Sequence, residues 1–409
     1  MQKGSEDDTT EKLLEHYDEL SDHIKVETKD PDLYPKFTSQ YTDQTVAANS
    51  VIVVCGDKSK VVSNSDMWET STNYQTYQTQ TTGFDGEGQI TSAITYVTSE
   101  NNPKVYWVTG HGEASESDLS TNFSDAINKN NVEISDLALM TDDIPEDAEE
   151  LVIMSPTTDF SEDEANKVIT YLENGGKLLM FTSYTGTDMP NLDSILENYG
   201  VKRSSGIVVE TDSQHYYPQM PYYLLPNIQS DDITTEVKSN YILMPVAQAI
   251  QKLDSYRDTI TIKSLLTTTE DAYIENDPEN STWSKSADSE TGAFDLGVSI
   301  TETVDDKETQ IIYFSSASML SSQIDQAISG ANSKLAATAL TSMCDVEQTV
   351  VIPSKSTSYT NLVFTQGAVN TWSIITIAGI PLVLVVIGVM IWMKTVSYTH
   401  LRAHETKAN

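Results

Sequence analysis

The residues with the most chemical potential stand together at Thr109-Gly110-His111-Gly112-Glu113, where two glycines alternate with an imidazole and a carboxylate. Glycine lets a backbone come close and take positive φ, histidine transfers protons or ligates metal near neutral pH, and glutamate does either. The stretch follows the apolar run Lys104 to Val108 (KVYWV), and the carboxyl end of a strand is where open α/β sheets place ligands. A nucleophile elbow would need a Cys or Ser at the crown of this turn, and neither is there. The remaining histidines before the C-terminal tail are His215, His16 and His23, thin material for a metal site. Three readings stay open: a structural turn, a ligand or partner contact made by Thr109, Gly110, His111, Gly112 and Glu113, and a catalytic loop. No catalytic residue, metal ligand or cofactor is assigned.

Other chemistry is bounded by absence and by charge. No G-x-x-x-x-G-K-S/T phosphate loop occurs, so this chain is not the ATP-hydrolysing subunit of a larger machine. The 61 acidic against 24 basic residues give a formal charge of −37, which repels phosphate backbones and anionic lipid and disfavours nucleic-acid partners. Cys55 and Cys344 lie far apart and form neither a metal-ligand pair nor a disulfide framework. The aromatic run His215-Tyr216-Tyr217-Pro218 with Tyr222-Tyr223 reads as a packing lid over a sheet edge or as a binding surface.

The elements that position these residues follow from periodicity. Residues 9–22 have helical spacing, IKVETKDPD reads as a strand, Tyr34 to Tyr41 as a short helical piece, and SVIVVCGDKSKVV as a hairpin with Gly56-Asp57 near its turn. Together they read as a partial thioredoxin-like domain over 1–66, without a CxxC. Residues 67–86 are a polar Thr/Gln/Tyr-rich linker, and Glu87 to Val97 a helix. A βα rhythm then sets in: strand 104–108, a helix from about Asp118 to Asn130, strand Leu151 to Met154, a helix opened by the Ser161/Glu164 capping box, strand Lys177 to Phe181, and a helix Leu192 to Tyr199. Such strands should lie parallel in a doubly wound, mostly parallel α/β sheet. After Glu210 the pattern loosens, and strands return at Thr259 to Leu266, Phe294 to Thr301 and Gln310 to Phe314. A helix from Ala331 to Cys344 closes an α/β domain spanning 87–350.

The stretch Ser354 to Thr371 reads as a polar stalk within a 351–371 connector, and Trp372 to Met393 runs twenty-two residues without a charge. At ~1.5 Å per residue it covers roughly 33 Å, enough to cross a bilayer core. Trp372 and Trp392 sit where interfacial aromatics belong, and Pro381 marks an expected kink. Lys394 after the helix places the C-terminus in the cytoplasm and the acidic portion outside. The charged start MQKGSEDDTTEKLLEHY is no signal peptide, so the native chain is expected to begin further upstream, with a further strand. Residues 394–409 are a short tail, and SYTHLRAHET, from about 397, is expected to be a sequence artefact.

KVYWVTGHGE, LVIMSPTTDFSEDEANKVITYLENGGKLLMF, PNLDSILENYGV and the final apolar helix resemble the Gldg family, gliding-motility-type auxiliary components of ABC transport systems. The likeness runs from about residue 10 to 394, with VTGHGE and ENGGKLL its most specific blocks. It implies an extracytoplasmic α/β domain held between two membrane helices and assembled with a permease and a separately encoded ATPase subunit. The first of those helices is missing, which is consistent with an upstream extension. The function expected is therefore a non-catalytic, membrane-anchored auxiliary subunit that binds partner subunits, membrane lipid or a ligand. The alternative is a degenerate receptor domain similar to class I glutamine amidotransferases.

Overall fold

The computed structural model describes residues 7–30, 33–34, 36–43, 45–73, 78–99, 102–279, 282–344, 352, 354–356 and 364–405. The first of them build a small unit. Helix α1 (Asp8–Leu20) is capped by Asp7, whose carboxylate accepts from the Thr9 and Thr10 N–H groups and, at 2.8 Å, from the Trp68 indole. Strands β1 (Val51–Cys55) and β2 (Lys58–Val62) form the expected hairpin around Gly56-Asp57. A short helix α2 (Asn64–Met67) leads into a second hairpin, β3 (Trp68–Asn73) and β4 (Gln78–Phe84), and α3 (Gly86–Thr98) follows. Val62, Met67, Ile90 and Ala93 form the small core, against which α1 lays Leu13, Leu14 and Tyr17.

Two expectations for this unit, a strand from Ile24 and an irregular linker over 67–86, fail, and a third holds in part. Residues 24–30 carry no strand, because alternation makes a strand only where a partner takes up its hydrogen bonds, and none of the described strands lies beside them. Tyr34 to Tyr41 has a single 3-10 turn at Thr38–Gln40. The stretch taken as an irregular linker contains β3 and β4, whose Thr-rich composition suits strands and whose register is pinned by Trp68 opposite Phe84, rings 4.6 Å apart.

The rest of the chain assembles one large sheet. In chain order come β5 (Lys104–Val108), α4 (Thr121–Lys129), β6 (Glu133–Leu137), β7 (Glu150–Met154), α5 (Glu162–Glu173), β8 (Lys177–Phe181), α6 (Pro190–Asn198) and β9 (Val201–Val209). Next are β10 (Tyr216–Tyr217), β11 (Met220–Leu224), β12 (Asn227–Ile228), β13 (Met244–Pro245), β14 (Gln248–Lys252), β15 (Ile260–Thr267), β16 (Tyr273–Glu275), β17 (Asp295–Val304) and β18 (Lys307–Phe314). Helices α7 (Ser322–Ala327) and α8 (Ala331–Met343) end this part.

Five strands run parallel in the order β6-β5-β7-β8-β18, as the βα rhythm requires. Beyond β18 the pairing is antiparallel through β17, β14, β9 and β16, with β15 and β12 branching from β17. The 11-stranded sheet is thus mixed, which corrects the expectation of a mostly parallel one. The reversal starts at Asp305-Asp306, both at positive φ, a two-residue turn that returns the chain directly into a neighbouring strand. Helices cover both faces: α4 and α8 pack Phe123, Ile127, Leu335 and Leu340 against Trp107, Phe181 and Phe314, and α5 and α6 pack Val168, Leu172 and Leu196 against Ile153, Met180 and Tyr313. The strand ELVIM is buried along its whole length, as a strand covered on both faces must be.

The polar stalk is not a free tether where it is described. Strand β19 (Lys355–Ser356) pairs with β4, and Thr365 caps α9 (Gln366–Ile374) while buried against Gln214. The helix then passes through a π turn at Ile375–Gly379 into α10 (Ile380–Glu405). Pro381 lacks an N–H and its ring clashes with the carbonyl of residue 377, and widening the preceding turn removes that conflict. None of the most apolar window of Gln366–Lys394 is buried against the rest of the molecule.

Candidate functional site

The loop after β5 sits where the crossovers diverge, since β5 leads through α4 to β6 on one side while its other neighbour β7 leads through α5 to β8. It is bridged to both neighbours: the Thr109 N–H donates to Leu137 O and the Ala114 N–H to Met154 O, each at 2.9 Å. The Trp107 indole reaches forward to Ala114 O at 2.9 Å and closes the loop from beneath.

The imidazole at its centre points inward. His111 is 5% exposed, its Nε2 lies 3.2 Å from Glu164 Oε2, and its Nδ1 lies 3.4 Å from Glu113 Oε1 without hydrogen-bond alignment. The ring packs on Phe160 with centroids 4.3 Å apart. Glu164 is the N3 residue of the capping box of α5, so its Oε2 also accepts from the Ser161 N–H at 2.9 Å and the Ser161 hydroxyl at 2.7 Å. Burial pushes the Glu164 carboxyl up, but the Ser161 N–H and hydroxyl and the adjacent imidazole more than reverse this, leaving it below the usual glutamate range. An ionised carboxylate only accepts, so the imidazole donates from Nε2. The Glu113 side chain is 1% exposed and takes the His111 N–H at 2.7 Å. The His111 carbonyl accepts from the N–H groups of Thr157 and Thr158, at 2.8 and 3.1 Å.

The five sequence-predicted residues therefore divide. His111 and Glu113 are turned into the protein, Thr109 is half-buried, and Gly110 and Gly112 are exposed, so a partner approaching this loop meets glycine backbone first. Gly112 has φ +77, and a Cβ there would stand 2.1 Å from Thr157 Oγ1, so the loop closes only over a glycine. The imidazole nitrogens face the Glu164 and Glu113 carboxylates.

The structure adds residues that periodicity missed. Ser155, just past β7, takes φ +55, and its hydroxyl donates to Ser183 Oγ at 2.8 Å past the end of β8. A serine at a strand end, in LVIMSP, was the available signal. At the opposite edge of the same strands, Glu150 is wholly buried with Cys344 Sγ 3.3 Å from its Oε2. Burial pushes Glu150 well above the glutamate range, against the Cys344 thiol and Lys177, and burial likewise pushes the Cys344 thiol up. An open groove of about 1100 Å³ lies at that edge, lined by Asp143, Glu146, Asp163, Lys167, Tyr171 and Lys177. Among the described residues, no group of three or more His, Cys, Asp or Glu is placed to hold a metal ion.

The aromatic segment forms the β10/β11 hairpin, which meets the base of the apolar helix. The Gln219 N–H donates to Gln366 Oε1 at 2.9 Å and the Gly367 N–H to Ser213 O at 2.7 Å. The Tyr222 ring packs at a tilt against Trp283, centroids 4.4 Å apart.

Among solved structures, the chain resembles the mmIFT52 N-terminal domain at 15% identity, covering 59% of this chain and 96% of that one with a TM-score of 0.43. A ThuA-like protein from Parabacteroides merdae ATCC 43184 matches at 12% identity, covering 66% of this chain and 99% of that one, TM-score 0.33. The exo-beta-1,4-mannosidase Op5Man5 from Opitutaceae bacterium strain TAV5 matches at 10% identity, covering 65% of this chain and 38% of that one, TM-score 0.31. No curated protein matches the chain. Residues 102–342, more than half of the chain and nearly all of its large sheet, match the family described as an ABC-type uncharacterized transport system, and the chain belongs to that family of ABC transporter auxiliary components.

Proposed function

We propose that this protein is a non-catalytic subunit of the Gldg type, anchored by the Gln366–Lys394 helix in an assembly with a permease and a separate ATPase subunit, whose extracytoplasmic α/β domain (87–350) binds partner subunits or a ligand. The observation that carries the reading is the family match across residues 102–342. Two features support it. The apolar helix is unburied, so it needs lipid or partner helices to leave water, and the His111 loop locks its ionisable side chains internally while presenting the backbone of Gly110 and Gly112. Residues 1–66, with α1 packed against a hairpin, are read as part of a thioredoxin-like domain.

Purification in mild detergent tests the partnership: the full chain should carry a permease and an ATPase with it, and Gly379→Leu with Gly388→Leu should weaken that association without preventing insertion. A chain that purifies as a lone monomer counts against the reading. Compartment-specific reporters fused at Ser354 and after Lys394 test sidedness, and a cytoplasmic reporter active at Ser354 would refute it. A second reading, a ligand-binding receptor domain resembling amidotransferases, is favoured by Ser155 in its left-handed conformation beside Ser183 at the strand ends. Loss of ligand-dependent signalling in Ser155→Ala, with partner co-purification intact, would favour it over the first.

A further inference from the structure

Sequence and geometry mark one surface apart from the rest of this acidic molecule. In a chain with 21% charged residues, 213–230 contains no Asp, Glu, Lys or Arg, and neither does 356–393. The fold brings these two charge-free stretches together. Tyr217 pairs with Met220 across the Pro218-Gln219 turn, and the Gln219 N–H is held by Gln366, the first residue of the apolar helix. Thr365 Oγ1 donates to Gln214 Oε1 at 3.1 Å, and Gly367 lies so close to Gln214 that a Cβ would stand 1.5 Å from its amide nitrogen. The hairpin is therefore clasped to the helix at a fixed height. Six residues separate Gln366 from Trp372, about 9 Å along the axis, which with Trp372 at the headgroup level puts the hairpin turn at the outer side of that layer. Met220, Phe364, Val369 and Trp372 are all exposed at this junction, where a water-facing surface would be expected to be polar.

We infer that the β10/β11 hairpin is a membrane-contact element: its tip, Pro218 to Pro221, rests against lipid headgroups beside the helix and orients the sheet above the bilayer. The inference depends on the membrane-anchor reading and adds the surface that faces the lipid. Absence of charge is what such a surface needs in a molecule of net charge −37, since carboxylates there would be repelled by anionic headgroups. The orientation follows. Strand β13, paired to β11, is tied at Pro245 O to the Ser316 hydroxyl just past the end of β18, so the carboxyl edge of the parallel strands lies towards the membrane. The Asp305-Asp306 turn lies at the far end of the eight-residue β18, roughly 26 Å away.

The test uses the full chain carrying Cys55→Ser, reconstituted in phosphatidylcholine vesicles, with a fluorophore on Met220→Cys, Gln219→Cys, Leu382→Cys or Asp305→Cys in turn. Lipid spin-labelled at the headgroup should quench the Met220 and Gln219 probes by roughly half and leave the Asp305 probe unchanged, while acyl-chain spin labels should quench Leu382 most, following the depth of the bilayer layers. A quenched Leu382 probe with unquenched probes at both hairpin positions overturns the hairpin inference and leaves the anchor intact. Hairpin probes shielded only when a permease is co-reconstituted also overturn it, in favour of a protein partner. An unquenched Leu382 probe overturns the anchor reading itself.

Discussion

Two buried carboxylates at opposite edges of the same parallel strands meet opposite fates. Glu164, at the carboxyl edge, is surrounded by donors: the Ser161 N–H and hydroxyl and the His111 imidazole. Glu150, at the amino edge, has a single thiol donor on its Oε2, and the Oε1 of both carboxylates has no hydrogen-bond partner. Burial acts on both and is the largest influence on each, yet one ends below and the other well above the glutamate range. Glu150 is also the more deeply buried of the two, so depth and donor supply together decide whether a buried acid stabilises this fold as a charge or is tolerated as a neutral group. The carboxyl edge thus behaves as a preorganised ionic clasp and the amino edge as a desolvated seam.

The largest expected effect comes from opening the clasp. Glu164→Ala removes the capping-box partner of Ser161 and leaves the His111 Nε2 proton buried without its acceptor, which together should cost about 2–4 kcal/mol in urea unfolding. A loss below about 1 kcal/mol would mean that the two edges differ less than their donor sets imply. Glu164→Gln should sharpen the result through pH. Because the folded pKa of Glu164 is depressed, its contribution is present above the unfolded value and lost as pH falls through the folded one, so the variant should lack that part of the acid limb.

A smaller effect isolates the backbone of the clasp. Gly112→Ala forces a methyl group onto Thr157 Oγ1 at φ +77, and about 1–3 kcal/mol of strain is expected. In a Thr157→Ala background the clash is gone, so the same substitution should cost clearly less. Gly110→Ala, whose added Cβ would meet nothing within 4 Å, should add to Thr157→Ala without coupling. Equal coupling at both glycines would show that close packing of the loop on Thr157 is not what requires Gly112.

What the sequence disclosed of these edges follows from how far apart the partners lie in the chain. The Ser161/Glu164 box was legible because its partners are three residues apart, and so were the strands KVYWV and KLLMF, whose apolar runs follow from burial on both faces. The His111–Glu164 contact spans 53 residues and the Cys344–Glu150 contact 194, and no local period encodes either. Strand β6 (EISDL) escaped because an edge strand carries charge, and β9 because Lys202, Arg203 and the two serines after them break its alternation. The hairpin β3/β4 escaped for the opposite reason, since a polar ladder held by one aromatic pair looks like a linker in composition. The carboxyl edge was thus half legible: the loop could be picked out, while the inward turn of its histidine could not.

The amino edge should yield an effect of the opposite sign, small at pH 5 and growing with pH. Glu150 has a folded pKa raised above its unfolded value, so whatever stability its neutral form provides is complete below the unfolded pKa and is lost as pH rises through the folded one. Across that window the unfolded chain gains from ionising a carboxyl that the folded chain keeps neutral, at ~1.4 kcal/mol for each pH unit. Glutamine keeps the shape and an oxygen to accept from the Cys344 thiol but does not titrate. Glu150→Gln should therefore leave stability nearly unchanged at pH 5 and raise it progressively towards pH 8, read as a shift in the urea midpoint with an unchanged slope. If the variant is instead destabilised at pH 8, Glu150 is held there as a compensated anion, with Lys177, whose ammonium reaches the Met343 carbonyl nearby, as the natural source of that compensation. The two edges would then share one rule of donor supply, and their contrast would reduce to the distance at which the cation stands.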